Sequence, residues 1–421
     1  MKRTAPDECD VLLRDGGIAH LRPLRPDDRA ALHALVESTS ERSAFLRFFT
    51  GGRATAHAYA DRITAPGYRG HALVALMRGR LVAVAEYIPG ADGDDADVGI
   101  LIDDAVHGHG LGTLLLEHLA VHAAASGIRE LVADVLAENR PMLRVLRDLG
   151  LSVEQRYADG EMSVRIRLDP TPELLAGIEA REHEATVASL FRLLAPGSVA
   201  VVGAGRSPSS LGHRVLRNLV EGGFPGPIYP VNPRADVLCG LPVHPRVGDV
   251  PGPVDLAVVA TPARAVPGVA RECARAGVKG LVVVSAGFGE AGEADRAAEL
   301  LRICRDAGMR LVGPNSLGVV GAAARLNASV LPAAPPRGRL GLMSQSGTVA
   351  VALLQRAAEL GIGVSSFVST GDKADVSGND LLEYWEDDPE TDVVALYLES
   401  FGNPRRFARV ARRVAARKPV I

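Results

Sequence analysis

The chain has few cysteines, few aromatic residues and almost no lysine. Cys9, Cys239, Cys273 and Cys304 lie far apart, with no CxxC pair among them. That spacing argues against a disulfide framework and against a zinc knuckle, so a reduced, cytoplasmic setting is the expectation. Aromatic residues make up only 4%. Lys2, Lys279, Lys373 and Lys418 are the only lysines, so the basic charge is almost wholly arginine. The arginines are scattered and the formal net charge is -3. Neither nucleic acid nor an acidic membrane surface is therefore expected as a partner. No apolar run approaches the ~18 residues that would cross a bilayer. The start, "MKRTAPDECD", has charge but no apolar core, so no secretory leader is expected.

What is present is 421 residues, 47% of them apolar, enough at about 150 residues per domain for roughly three units. Residues 1–168 alternate strands and helices in an α+β layout with a central mixed sheet. "DVLLRDGGIAHLRPL" reads as a hairpin turning at Gly16-Gly17, and "RPDDRAALHALVEST" as a helix. "ALVALMRGRLVAVAEYI" reads as two strands around a turn. "DADVGILID" is a strand, followed by the helix "GLGTLLLEHLAVHAAASG". "ELVADVLA", "ENRPMLRVLRDLG" and "EMSVRIRL" add strand, helix and strand. Residues 169–195 turn helical after the proline at 170 and read as a linker helix. From 196 to 325 short two-sided apolar strands alternate with helices, the pattern of a parallel sheet covered on both faces. A second αβ set runs over 326–421. Its last residues, "KPVI", have the character of the first half of a strand, and this unit is expected to be incomplete in the chain.

The chemistry begins at His107-Gly108-His109-Gly110-Leu111-Gly112, between the strand from Asp95 and a helix. Amides at a helix start have no intrahelical partner and lie at the positive end of the dipole, so they favour an anion. Glycines let a pyrophosphate approach the backbone. No Lys-Ser/Thr follows, so the turn is not a P-loop, and its place after the fourth strand, not the first, argues against a dinucleotide fold. His118 and His122 stand four apart on the following helix, but with no third ligand indicated a packed or solvated face is expected and no metal is assigned.

At these residues the block resembles the GCN5-related N-acetyltransferase (GNAT) family, whose Gln/Arg-x-x-Gly-x-Gly/Ala turn holds the pyrophosphate of acetyl-CoA. Gly110 and Gly112 fit that pattern, and His107 stands in place of Gln or Arg. The resemblance implies that His107, Gly108, His109, Gly110, Leu111, Gly112 and Thr113 line the coenzyme. It places Asn139, in "LAENRPMLRVLRDLGL", against the pantetheine arm. An amine of pKa near 10.4 must lose a proton before it attacks a thioester, and the oxyanion needs an amide, expected from Leu101 or Ile102. Asp97 is the expected base, directly or through a water. Pat-type protein lysine acetyltransferases, which the block is similar to, carry Glu there. Glu86 on the neighbouring strand is the competitor. Asp103 and Asp104 are expected to be solvated loop residues.

A second turn, "VAVVGAGRSPSSLG", begins like a dinucleotide fingerprint, but Pro208 stands where the third glycine belongs. No acid closes the next strand, so NAD is not expected. Here the chain resembles the CoA-binding domain of succinyl-CoA ligase α subunits and NDP-forming acyl-CoA synthetases. The matching stretches are "GGFPGPIYPVNPR", "VDLAVVATPA", "VVVSAGFGE", "GMRLVGPNSLGVV", "GLMSQSGTVA" and "DVSGNDLLEYWEDDPETDVVALYLESF". The resemblance brings Gly203, Gly205, Arg206, Ser207, Asn232, Pro233, Arg234, Thr261 and Pro262 to CoA. Ser344 and Ser346 read as parts of a backbone anion nest rather than as nucleophiles. The ligases' phosphohistidine loop would fall beyond Ile421, and Asp372 replaces their Asn, so ligase activity is not expected of this chain.

The whole is thus expected to be a GNAT domain, a linker helix, a Rossmann-like CoA-binding domain and a partial flavodoxin-like ligase domain. The combination resembles some actinobacterial Pat-type enzymes. It implies transfer from acetyl-CoA to a lysine of a protein partner, an acyl-CoA synthetase being the expected one, with a CoA-binding region as regulator. The alternatives are acetylation of a small amine, or a CoA-sensing binding module.

Overall fold

The computed structural model describes residues 8–158, 161–169, 171–288 and 294–421. The extreme N-terminus, Pro170 of the linker and the end of "VVVSAGFGE" at Glu290 lie outside the described residues. The chain divides into two compact units, one ending at Ala185 and one running from Thr186 to Ile421.

The first unit is an eight-stranded sheet. Its strands are β1 (Cys9–Leu12), β2 (Ile18–Pro23), β3 (His71–Met77), β4 (Arg80–Pro89), β5 (Asp95–Ile102), β6 (Glu130–Leu136), β7 (Val153–Ala158) and β8 (Glu161–Arg167), in the order β1-β2-β3-β4-β5-β6-β8-β7. Only β5 and β6 pair in parallel; the other pairings are antiparallel. The sheet is mixed, as the sequence predicts. The hairpin β1–β2 supplies two strands, so the glycine turn follows the fifth strand rather than the fourth. One face is covered by α1 (Arg29–Ser38), α2 (Glu41–Phe48) and α3 (Ala54–Ile63). There Leu32, Leu35, Val36, Tyr59 and Ile63 pack on Val74, Val84 and Leu101. The other face carries α4 (Leu111–Ala125) and α5 (Arg140–Asp148), whose Leu111, Leu115, Leu116, Leu119 and Leu146 pack against Ala83, Ala85, Val98 and Leu131. The sequence reading had neither α2, α3 nor β7. The expected linker helix is α6 (Pro172–Leu194). Its first turns belong to this unit, where Arg181 meets the buried Glu117 of α4 and donates to the Asp148 carbonyl at 3.1 Å.

The second unit holds two five-stranded sheets. The first contains β9 (Val199–Val202), β10 (Ile228–Val231), β13 (Leu256–Val259), β14 (Gly280–Val283) and β15 (Arg310–Val312), all parallel, in the order β10-β9-β13-β14-β15. A small hairpin of β11 (Val237–Leu238) and β12 (Leu241–Pro242) lies outside that sheet. Helices α7 (Leu211–Glu221), α8 (Val266–Arg275) and α9 (Ala294–Asp306) are the crossovers. Every position of β9, β13 and β14 is buried, which is why these strands read as unbroken apolar runs.

The last sheet contains β16 (Gly318–Gly321), β17 (Leu326–Ser329), β18 (Arg337–Ser344), β19 (Val364–Ser369) and β20 (Val393–Tyr397), in the order β17-β16-β19-β18-β20. Its helices are α10 (Gly347–Glu359), α11 (Gly378–Asp387) and α12 (Pro404–Ala415). Val420 bridges Val394 in parallel beside β20, where "KPVI" was expected to start a strand. The boundary expected between residues 325 and 326 falls inside the hairpin β16–β17. Both of its strands pair in the last sheet, so on pairing alone that sheet begins at Gly318.

Among the described residues no helix is long and apolar enough to cross a membrane. One buried cation organises the second unit. Arg310, with a side chain 5% exposed, donates to Asp375 Oδ2 at 2.8 Å and to Ser189 Oγ at 2.6 Å, and lies 3.8 Å from Asp380. Burial alone would lower its pKa, and Asp375 and Asp380 more than offset this. Arg310→Met takes the cation from Asp375 and leaves Asp380 with Arg406, 3.7 Å away, and we expect a loss of about 3 kcal/mol. Trp385, the chain's single tryptophan, is fully buried in this unit. The urea midpoint followed by its fluorescence measures that loss directly, without a contribution from the first unit.

Candidate active site

Strands β5 and β6 pair only through Asp95↔Glu130, Ala96↔Leu131 and Asp97↔Val132. Beyond that point β6 continues against β8, and β5 continues against β4. The two parallel strands therefore part after Asp97, opening a cleft in the middle of the sheet. Alternation in the antiparallel pair decides which amides face it. Asp103 N–H donates to the Val82 carbonyl at 2.9 Å, so Leu101 and Gly99, in step with Asp103, also turn their backbone groups to β4. Of the two amides expected near the thioester, that of Leu101 is therefore committed to β4. The amide of Ile102 turns toward the parting, together with those of Val98 and Ile100.

At the far end of β5 the chain turns through Gly108 and Gly110, both at φ +83. This left-handed backbone suits glycine. Gly110 caps α4, so the amides of Leu111, Gly112 and Thr113 have no intrahelical acceptor. A Cβ on Gly108 would meet nothing within 4 Å, leaving the turn open to a ligand. His107 places Nε2 3.1 Å from the Ile102 carbonyl, and His109 lies 3.5 Å from Asp15. Asn139 caps α5, its Oδ1 accepting from the Met142 amide at 3.2 Å.

Asp97 and Glu86 lie on the same face as α1–α3, Glu86 opposite Gly99 and Asp97 opposite Ile88. Their surroundings differ. The Glu86 side chain is 2% exposed. It accepts from Arg47 at 3.2 Å and from the Tyr68 hydroxyl, with Arg62 at 3.8 Å. Burial first, and the Glu86 contact second, push the Tyr68 phenol up. Asp97 keeps solvent contact, yet partial burial raises its pKa. Arg47 is the main opposing influence, and Asp134 on β6 adds to the rise.

Asp103 and Asp104 are not solvated loop residues. Asp103 is buried and accepts from the Ala105 amide at 2.9 Å and from Ser38 and Arg80 at 2.8 and 2.9 Å. Asp104 accepts from Ser40 and Ser43, the N-cap and third residue of α2. Burial works against both carboxylates, but these donors hold them below the usual range. The pair ties α1 and α2 to the glycine turn. Arg47, Tyr68 and Asp134 are the site residues the sequence reading did not find. His122 is packed, its ring stacked on His71 at 3.5 Å and its Nδ1 2.8 Å from the Tyr87 hydroxyl. Among the described residues no group of three or more His, Cys, Asp or Glu is arranged to hold a metal ion.

In the second unit, β9 and β13 are neighbours from which the chain winds in opposite directions. Their carboxyl ends thus form the crevice where open αβ sheets take ligands. Gly203 follows β9 at φ +87, and a Cβ there would lie 2.8 Å from the Ala260 carbonyl. Thr261, two residues beyond β13, has a buried Oγ1 with no hydrogen-bond partner among the described residues. Asn232 Nδ2 donates to the Ala204 carbonyl at 2.6 Å and its Oδ1 accepts from the Arg234 amide at 2.8 Å. Arg206, Ser207, Pro233, Arg234 and Pro262 are exposed at the rim, and Gly205 is half-buried. An orphaned hydroxyl and a tight glycine cradle at the switch point fit a phosphate-bearing ligand such as CoA. Ser344 Oγ donates to the Ser346 carbonyl at 2.7 Å, and Ser346 caps α10.

Comparison with known proteins divides the chain into three parts, each matched by a family model. Residues 19–152 match the family model for the acetyltransferase (GNAT) domain, residues 197–322 that for a CoA binding domain, and residues 337–421 that for the succinyl-CoA ligase like flavodoxin domain. The chain therefore carries a GNAT acetyltransferase domain followed by CoA-binding and succinyl-CoA ligase-like domains, and acetyl-CoA and CoA are the ligands these domains imply. Over 239 residues it is 41% identical to the acetate–CoA ligase [ADP-forming] I subunit alpha of Pyrococcus furiosus, covering 55% of this chain and 52% of that protein. Among solved structures it is similar to the dinucleotide forming acetyl-coenzyme A synthetase 1 of Ca. Korarchaeum cryptofilum. The identity is 45% and the TM-score 0.54, covering 55% of this chain and 50% of that one. It is also similar to the GNAT domain of S. lividans PAT, at 34% identity and TM-score 0.36, covering 38% of this chain and 96% of that one. The chain spans about half the length of the ligase subunit it matches, and less of the longer ligases, such as 32% of the one from Methanocaldococcus jannaschii.

Proposed function

We infer that the chain transfers acetyl groups from acetyl-CoA to lysine side chains of a protein partner, with acyl-CoA synthetases as the expected class. The observation that carries this reading is the parting of β5 and β6 immediately beyond Asp97. A thioester laid in the cleft has α4's free amides at its pyrophosphate end and a carboxylate at its acyl end. Asp97 takes the ammonium proton, directly or through a water, and the attacking nitrogen forms the C–N bond. An amide facing the parting, from Ile102 or its alternate neighbours Val98 and Ile100, receives the oxyanion. Collapse of that intermediate breaks the C–S bond as the nitrogen's remaining extra proton passes to the departing sulfur, directly or through a water, and CoA leaves as the thiol. In this reading His107 to Thr113 and Asn139 line the first coenzyme molecule. Gly203, Gly205, Arg206, Ser207, Asn232, Pro233, Arg234, Thr261 and Pro262 take a second CoA, whose occupancy regulates the first unit.

The test is incubation of the full chain with labelled acetyl-CoA and a purified acyl-CoA synthetase, followed by peptide mapping. Label on a synthetase lysine is expected. Label only on added small amines would turn the reading to a small-molecule acetyltransferase. Its absence from every acceptor would leave a CoA-sensing module. A second reading, ligation by the C-terminal half, is favoured by the ADP-forming ligases matched over that half. Formation of ATP from acetyl-CoA, ADP and phosphate by the chain would establish it.

A further inference from the structure

On the sheet face that carries Asp97, the side-chain place between Asp97 and Leu101 belongs to Gly99 and is empty of any strand side chain. The Arg47 guanidinium, from α2, fills it. A Cβ built on Gly99 would overlap Arg47 Nη2, with Cζ and Nε the next atoms met. The guanidinium is pinned from several sides. Glu86 accepts from Nη2 at 3.2 Å, and the Phe48 and Tyr59 rings lie 5.3 and 5.4 Å from Cζ. Glu86 is in turn held by Tyr68 and Arg62. A fixed cation therefore rests on the strand one side-chain place from Asp97, about 7 Å along it.

We propose that Arg47 is a positioning residue for acetyl transfer: fixed over Gly99, it holds a cation beside Asp97 and keeps that carboxylate ready to take the acceptor's ammonium proton. This rests on the proposed acetyltransferase reading and names the residue that tunes its base. The charged groups facing Asp97 are Arg47 from α2, Arg62 from α3, Glu86 from β4 and Asp134 from β6. Glu86 is occupied by the two arginines and Tyr68, so Arg47 is the principal cation set against Asp134. Partial burial already lifts the Asp97 carboxyl, and Arg47 is the largest influence pulling it back. Loss of the cation lets the carboxyl rise further, so the base is lost at a higher pH.

The test uses the full chain and the pH profile of kcat/KM for a lysine peptide, read by thiol release from acetyl-CoA. R47M should move the acid limb upward by about one pH unit, the order expected when an opposite charge near a carboxylate is lost. R47K, which keeps the charge, should restore it. G99A should shift the limb in the same direction by displacing the guanidinium, and R47M with G99A should go no further than R47M alone. R47Q serves if R47M does not fold. An unmoved limb in folded R47M or R47Q overturns the proposal, as does a full shift in R47K. If the wild-type chain acetylates no amine, the acetyltransferase reading fails separately. The carboxyl carbon of Asp97, assigned by D97N and followed by NMR titration, then decides: a rise in R47M supports the electrostatic role and an unchanged titration overturns it.

Discussion

Asp97→Asn is expected to lower kcat for acetyl transfer by about 10²–10⁴-fold, the range associated with a positioned general base. Asparagine keeps the size of the side chain and its place on β5 but cannot take the ammonium proton. The neighbouring carboxylate is no substitute, because Glu86 is buried and occupied by Arg47 and Tyr68. Asp97 pairs with Ile88 and Val132 at the last rung before the strands part, whereas the glycine turn lies beyond the other end of β5. KM for acetyl-CoA should therefore stay within about twofold. The sign of the pH dependence follows from the same environment. Burial raises the Asp97 pKa, so its basic form is lost on acidification at a pH above that of a free aspartate. A fall of less than tenfold in D97N would move the base elsewhere, with Asp134 the next residue to replace.

Asp97 could be found because "DADVGILID" resembles the strand on which Pat-type enzymes carry Glu; alternation alone does not single it out, since Asp95 and Asp103 share its face. The glycine turn was legible because strand, glycines and helix follow one another without a gap. The helices α2 and α3 were not. α2 is eight residues long, and its order comes from Ser40 and Ser43 bonded to Asp104, more than sixty positions away. No local periodicity records that tie. The role of Arg47 was equally hidden, because it depends on a glycine 52 positions on whose missing side chain makes room for the guanidinium. In the second unit the parallel strands were plain as short apolar runs. The hairpin β16–β17 was not, because its turn is built of alanines and closes on Arg325 at φ +50, a left-handed residue without the usual glycine signal.

Gly110 carries the second large effect. At φ +83 it sits at the N-cap of α4, where a Cβ would find only Arg14 Cβ, at 3.9 Å. Space is therefore no obstacle to a side chain, and aspartate is among the few residues that visit left-handed backbone. In Gly110→Asp the new carboxylate lies at the positive end of the helix, where it favours α4 while competing with the diphosphate for the same amides. We expect the first unit to stay folded and kcat/KM for acetyl-CoA to fall at least about 100-fold, as two anions contend for one nest. Gly110→Asn matches the shape without the charge and should lose about tenfold or less, so the ratio of the two variants isolates the electrostatic part. Calorimetry on the full chain gives the complementary result. If the crevice at Gly203 and Thr261 takes a second CoA, Gly110→Asp should remove one binding event and leave the other at its wild-type affinity. Loss of both would mean that the two sites are coupled, and retention of both would remove the glycine turn from coenzyme binding altogether.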